Sequence, residues 1–465
     1  MRGLLWVTIV LIAVLTGFLV SSIPYLAWWT CWISSLGIFF LTISGKLINL
    51  PTDSPILGQF FRPYFLAFTF FTGFVVLSPI FHFFSLHGYE FLDKIYDITP
   101  DEDTLFRTVQ AQWFYLVAQI SYVFGMSLKR PAFGKPTFSL NRIQLTDLFI
   151  ILFLGLQFLA LVSAFIPGLV QVLVKLTDIA NIVGVLFLGV AIQENNRTKI
   201  LLGLVIVAYA FMVALLSGMK SAPLFIAIIL GSFLIQKYPK LIITTGILVF
   251  VIWATYIPYY NNVYRQVAWS EGFDPIEANR VAQEQTLSAS STELREASWA
   301  MLENRLSEVN MFIKYTYFVP AYHPHYGTDI IQQSVMSLIP RLFWPEKPDM
   351  EALIMERVYT AGVVESYSMV SAKPAYIVDA YLTGGLPIII LAYIVLGWLN
   401  IYLSIKAENW FGGYLLGSGV IFNGLFQIVW LGNSFEFLAN VLFWSFILMF
   451  AIRFGLQRTG LLVRT

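Results

Sequence analysis

Cysteine occurs once, at Cys31 inside a hydrophobic run, which excludes an intrachain disulfide and a cysteine metal cluster. Charge is scarce: Lys, Arg, Asp and Glu make up 12% of the 465 residues. A net charge of +1 leaves no electrostatic footprint for nucleic acid. Internal repeats and low-complexity tracts are missing, which argues against a transporter built from duplicated halves. There is no P-loop, no Gly-x-Ser-x-Gly elbow, no His-Glu-x-x-His and no dinucleotide fingerprint. What fills the chain is hydrophobic residue, 58% of the total, with a mean hydropathy of +0.74. Apolar runs of about 20 residues recur, each long enough to cross a bilayer as a helix. The composition predicts an all-α polytopic membrane protein.

Twelve spans are expected, near 4–21, 25–44, 64–86, 108–127, 146–166, 177–193, 200–217, 222–236, 241–258, 376–404, 410–431 and 437–455. The first has Arg2 before an apolar core, as a signal peptide does. It runs straight into further spans and lacks an Ala-x-Ala exit, so an uncleaved helix is expected. Fifteen basic residues, from Arg2 and Lys46 to Arg458 and Arg464, fall on one side of this arrangement. The short loops opposite hold only Lys94, Arg107, Lys175 and Lys220. That asymmetry predicts that the first side, with both termini, is cytoplasmic.

Two hydrophilic intervals then face outward. The smaller, about 87–107, carries Asp101-Glu102-Asp103 and reads as a solvated acidic loop. The larger, 259–375, is too long for a connector and is expected to form a mainly helical lobe. The chain thus divides into nine spans over 1–258, the lobe over 259–375, and three spans over 376–465. From 259 to 380 there are 15 Asp or Glu against 9 Lys or Arg, which disfavours simple adhesion to anionic lipid and favours a local site.

Within the lobe, Ser337-Leu-Ile-Pro-Arg-Leu-Phe-Trp-Pro-Glu-Lys-Pro348 has three prolines in nine residues, which forbids a continuous helix and predicts a stiff loop. It carries Arg341 and Lys347, cations suited to an anion, or else a connector with snorkelling bases. Upstream, Ser290-Ser-Thr-Glu293 fits a capping box, opening a helix whose apolar positions Leu294, Met301, Val309 and Phe312 recur at helical spacing. Arg305 shares that inward face and needs a partner, either Glu303, Glu308 or a bound anion. Arg265, Lys220 and Lys373 add cations near the same surface, as interfacial anchors or as ligands. His323-Pro-His325 lacks acidic or cysteine partners at metal-ligand spacing, which leaves a structural or acceptor-binding role. Asp379, at the start of the tenth span, is either paired with a base such as Lys373 or used chemically. Polar residues within the spans are mostly amides (Gln112, Gln119, Gln157, Asn181, Asn423, Gln427), so charge gathers at the outer end.

Ile339-Pro-Arg-Leu-Phe-Trp-Pro-Glu-Lys-Pro348, Ser371-Ala-Lys-Pro-Ala-Tyr-Ile-Val-Asp379 and the Gly384-Gly385 entry to the next span resemble the Wzy-type oligosaccharide repeat-unit polymerases of bacterial O-antigen and exopolysaccharide assembly. Arg305 and the Ser217-Gly-Met-Lys-Ser221 turn are similar in placement to that family's pattern. The resemblance implies a GT-C-like glycosyltransferase in the bacterial plasma membrane, acting on undecaprenyl-diphosphate-linked donor and acceptor without a cofactor or metal. A flippase and a chain-length regulator are its implied partners. It implies Arg341 and Lys347 on the diphosphate, supported by Arg305, Arg265, Lys220 and Lys373, with Asp379 as the base and Glu365 as its rival. Acceptor sugar contacts then fall to His323, His325, Trp344 and Tyr376. The paired Arg-x10-Gly segments of some such polymerases have no counterpart here. An O-antigen ligase-like transferase and a lipid-linked oligosaccharide flippase are the alternatives.

Overall fold

A computed structural model describes the chain apart from residues 1, 52–55, 129–135, 166–169, 217–220, 236, 340–342, 368–372 and 422–432, and apart from some side chains, Arg305 among them. Seven helices among the described residues are long and apolar enough to cross a membrane: Arg2–Ser22, Pro24–Ile43, Pro63–Leu86, Gln144–Val162, Pro239–Ala268, Tyr376–Trp410 and Phe435–Arg458. The protein is therefore a largely helical, multi-pass membrane protein. Helices also occupy other expected span positions, at Glu102–Ser127, Val170–Glu194, Arg197–Leu216, Ser221–Leu234 and Tyr414–Ile421. Residues 422–431 of the expected 410–431 span lie outside the described residues, Asn423 and Gln427 included.

Apolar side chains face both ways, as burial in lipid requires. Leu248, Val249 and Phe250 point outward from the Pro239–Arg265 helix, whereas Ala111, Leu116, Ala118 and Val123 of the Glu102–Ser127 helix are buried. The latter crosses the Tyr376–Trp410 helix at backbone contact, because glycines remove the side chains between them. A Cβ on Gly125 would lie 2.1 Å from the Ile394 carbonyl oxygen, and one on Gly397 would lie 2.1 Å from that of Tyr122. Gly397→Val is expected to cost about 3 kcal/mol, since neither backbone has room to retreat. Thermal unfolding in detergent would show this against Gly246→Ala, where a Cβ meets nothing within 4 Å.

The π-helical turn Phe71–Leu77 precedes Pro79, whose missing N–H leaves carbonyls in that turn without their usual donor. A buried amide reaches that turn: Gln112 Nε2 donates to the Val76 oxygen at 3.0 Å, while Gln119 Nε2 joins the Thr72 hydroxyl, at 3.2 Å, to the Ser35 oxygen of the Pro24–Ile43 helix, at 3.1 Å. At one end of the bundle Arg62 donates bidentately to Glu408, at 2.8 and 3.0 Å, with both side chains buried. The same end carries a short antiparallel pairing of Phe138–Leu140 with Leu462–Arg464.

The other end carries the 259–375 region. Its helices are Pro275–Ser288, Ser291–Met301, Val309–Phe318, Asp329–Ser337 and Met350–Thr360. Ser290 forms the expected capping box, accepting from the Glu293 N–H at 3.2 Å while Glu293 Oε2 accepts from the Ser290 N–H at 2.8 Å. The helix it opens stops at Met301, however, and does not run on to Phe312. A π-turn over Leu302–Leu306 and extended backbone at Ser307 intervene before Val309 restarts the helix. Val309, Phe312 and Tyr315 then join the bundle's own core. The 87–107 segment meets this region too: Arg295 pairs with Asp93, and Arg107 Nη1 donates to the Thr316 oxygen at 2.8 Å.

A buried charge network at the lobe–membrane junction

The Tyr376–Trp410 helix has 35 residues, roughly 50 Å at 1.5 Å per residue, well beyond a bilayer core of about 30 Å. Gly384 and Gly385 break it, Gly385 adopting φ +67 and ψ −150, a conformation essentially confined to glycine. Its first two turns, Tyr376 to Thr383, thus form a separate segment. The break frees the Leu382 carbonyl, which accepts from the Tyr326 N–H at 2.8 Å. His323 stacks on Tyr326 at 4.4 Å, and His325 lies edge-on to Tyr381 at 5.6 Å, beside Gly385. The His-Pro-His turn therefore packs over the broken helix. Among the described residues no three His, Cys, Asp or Glu side chains gather as a metal site.

Asp379 sits on this short segment, fully buried. Its partner is not Lys373 but Arg357, which the sequence reading did not single out. Arg357 Nη2 donates to Asp379 Oδ1 at 3.3 Å and to Glu436 Oε1 at 2.8 Å, and Nη1 donates to Gln333 Oε1. Asp379 Oδ2 accepts from the Phe435 N–H at 2.8 Å, capping the Phe435–Arg458 helix. One guanidinium thus serves two carboxylates, and all three side chains are at most 3% exposed. The excess negative charge is offset by helix geometry. Asp379 lies in the first turn of its own helix and at the start of the next, and Glu436 lies in the first turn of the latter. Each N-terminus presents roughly half a positive charge.

Three elements distant in sequence are tied together this way: the Met350–Thr360 helix of the lobe and the first turns of two membrane helices. Ser337 Oγ donates to the Glu436 carbonyl at 3.0 Å, and Asn440 Nδ2 donates to the Ser337 carbonyl. Two polar atoms in the network have no hydrogen-bond partner among the described residues, Arg357 Nε and Glu436 Oε2. One is a donor and the other an acceptor, a pairing that suits ligands bearing hydroxyl groups.

The other expected site residues distribute unevenly around this core. Lys347 donates from Nζ to the Ser337 and Ile339 carbonyls, at 3.1 and 2.9 Å, and so ties together two ends of the proline-rich loop. Trp344 is half-buried, and its carbonyl accepts from the Lys347 N–H at 3.1 Å. Lys373 lies 3.6 Å from Glu351 and 4.0 Å above the Phe437 ring. Tyr376 packs on Phe435 at 4.6 Å and donates to the Ala392 carbonyl at 3.1 Å. Glu365 is exposed in the turn beyond the Met350–Thr360 helix. Arg265 ends the Pro239–Arg265 helix, beside a satellite cluster of Val263, Val267, Ala278 and Ala282. Arg341, Lys220 and the Arg305 side chain lie outside the described residues.

Glu308, named as a possible Arg305 partner, has its Oε2 buried with no hydrogen-bond partner among the described residues. Burial pushes its carboxyl up to about 8 from an ordinary 4.5. Between those values the folded chain holds a proton that the unfolded chain has released, so stability falls as pH rises through that window. Glu308→Gln is expected to raise stability at pH 8 by roughly 2 kcal/mol, a figure reduced because the residue as a whole is only half-buried. The gain should shrink toward pH 4.5, which thermal unfolding across pH would check.

None of the curated proteins and none of the solved structures matches this chain. Residues 12–464 match a family described as a domain of unknown function, DUF8712, and the chain belongs to that family.

Proposed function

We propose that this protein is a bacterial plasma-membrane glycosyltransferase that polymerises undecaprenyl-diphosphate-linked oligosaccharide repeat units at the outer membrane face. The reading takes a GT-C-like arrangement of twelve spans with both termini cytoplasmic and the 259–375 lobe external. The observation that carries it is the buried Arg357–Asp379–Glu436 network where the lobe meets the membrane helices. In this reading a lipid-borne substrate approaches that junction from the bilayer and a sugar hydroxyl approaches it from the lobe.

In the proposed reaction, a hydroxyl of the incoming lipid-linked unit attacks the anomeric carbon of the growing chain. The new C–O bond forms as the bond from that carbon to the lipid diphosphate breaks, and the hydroxyl proton passes to a carboxylate. Asp379 has both oxygens engaged, whereas Glu436 keeps Oε2 unpartnered among the described residues. We therefore assign proton acceptance to Glu436 and the positioning of Arg357 to Asp379. The departing diphosphate needs cations, and Arg341 and Lys373 supply them, with Lys347 holding the loop in shape. The glycan of cells lacking this protein tests the reading. Single repeats on the lipid carrier are the expected result. Chains of normal length left unattached to their final acceptor would indicate a ligase, and unaltered surface glycan would refute transfer altogether.

A further inference from the structure

The two helices that carry Asp379 and Glu436 bring a second set of polar groups together at their far ends. Trp410 ends one of them, and Arg453 lies near the end of the other. The Leu462–Arg464 strand folds back to pair with Phe138–Leu140, placing Arg464 opposite Phe138. Phe138, Trp410, Arg453, Gln457 and Arg464 line a cleft of about 440 Å³, and among the described residues no acidic side chain lines it. The Arg453 guanidinium lies 4.6 Å from the Trp410 ring centroid and 4.9 Å from that of Phe138. These rings position it, and among the described residues no carboxylate pairs with it. Its in-plane donors stay available, and Nε is buried without a hydrogen-bond partner among the described residues. Lys406 approaches the same Trp410 ring at 5.6 Å. Phe450 and Phe454 face outward from the Arg453 helix, giving this end an apolar flank.

We propose that this cleft is a binding site for an anionic phosphate ester, the group that an anionic phospholipid presents at a membrane surface. A planar guanidinium recognises phosphate oxygens in pairs, Arg464 and Gln457 add donors, and the aromatic walls and apolar flank suit the attached glycerol and acyl chains. The site is independent of the transferase reading, since it lies at the opposite end of the same helices.

Native mass spectrometry of the detergent-purified full chain would test it, with dioctanoyl phosphatidylglycerol, dioctanoyl phosphatidylcholine and inorganic phosphate as probes. Retention of the glycerol lipid about tenfold above the choline lipid is expected, with a loss of about tenfold in Arg453→Gln and in Arg464→Gln. Arg280→Gln, which removes an arginine already paired with Glu277 and Glu284 at the surface, should change nothing. Displacement of the lipid by equimolar inorganic phosphate would support the anion site while making free phosphate its source. Equal retention of the two lipids by the wild type would overturn the proposal, and that outcome needs no variant to fold. Undiminished retention in Arg464→Gln, whose change is confined to an exposed strand end, would overturn it too.

Discussion

Replacing Glu436 by Gln is expected to lower repeat-unit transfer by about 100- to 10,000-fold, the usual range for loss of a general base, while the protein stays folded. The expectation rests on charge balance. With two carboxylates sharing Arg357, neutralising one leaves a one-to-one ion pair between Arg357 and Asp379. Gln also keeps the size of the side chain and an acceptor oxygen for Arg357. Asp379→Asn leaves the complementary Arg357–Glu436 pair and loses only a positioning contact, so its expected cost is about tenfold. Glycan length distributions from purified enzyme and lipid-linked oligosaccharide would separate the two. A dead Asp379→Asn beside an active Glu436→Gln would return the acceptor role to Asp379. Full activity in both would remove the network from the chemistry.

Arg357→Met should have the largest effect on folding, about 3–5 kcal/mol, because it strands two carboxylates in a buried site with no cation to share. Thermal unfolding in detergent would register this as loss of the folded form well below the wild-type midpoint. The triple change Arg357→Met, Asp379→Asn and Glu436→Gln removes every formal charge from the network and is expected to recover most of that loss, as neutral replacements of buried ion pairs often do. Recovered folding should come without recovered transfer. A triple variant that is both stable and active would show the network to be structural alone.

Lys373 illustrates why nearness along the chain does not identify the partner of a buried acid. It stands six residues before Asp379 and is the nearest base, yet it approaches Glu351 and Phe437. Arg357, 22 residues upstream, reaches the carboxylate instead. The Met350–Thr360 helix buries Ile354 and Val358, and Arg357 lies on that same face. That pattern was a legible signal for an inward-facing cation. Glu436 had one as well: it is an acid flanked by Phe435 and Phe437 at the start of a hydrophobic run, the same situation as that of Asp379.

Composition and apolar run length alone determined that this is a helical membrane protein, because a bilayer accepts little else from a chain so poor in charge. The capping box at Ser290 was equally local, since three consecutive peptide units contain all its partners. The end of that helix was not, since continuing apolar spacing does not reveal the extended backbone at Ser307. Nor could pattern reveal that Gly125 and Gly397 meet, that Tyr326 takes the carbonyl freed at Gly384–Gly385, or that one guanidinium joins two helix N-termini. Those pairings depend on which segments the fold lays side by side. Burial then selects among candidate partners, because an ionised group removed from water persists only where opposite charge, or the positive end of a helix, is already in place.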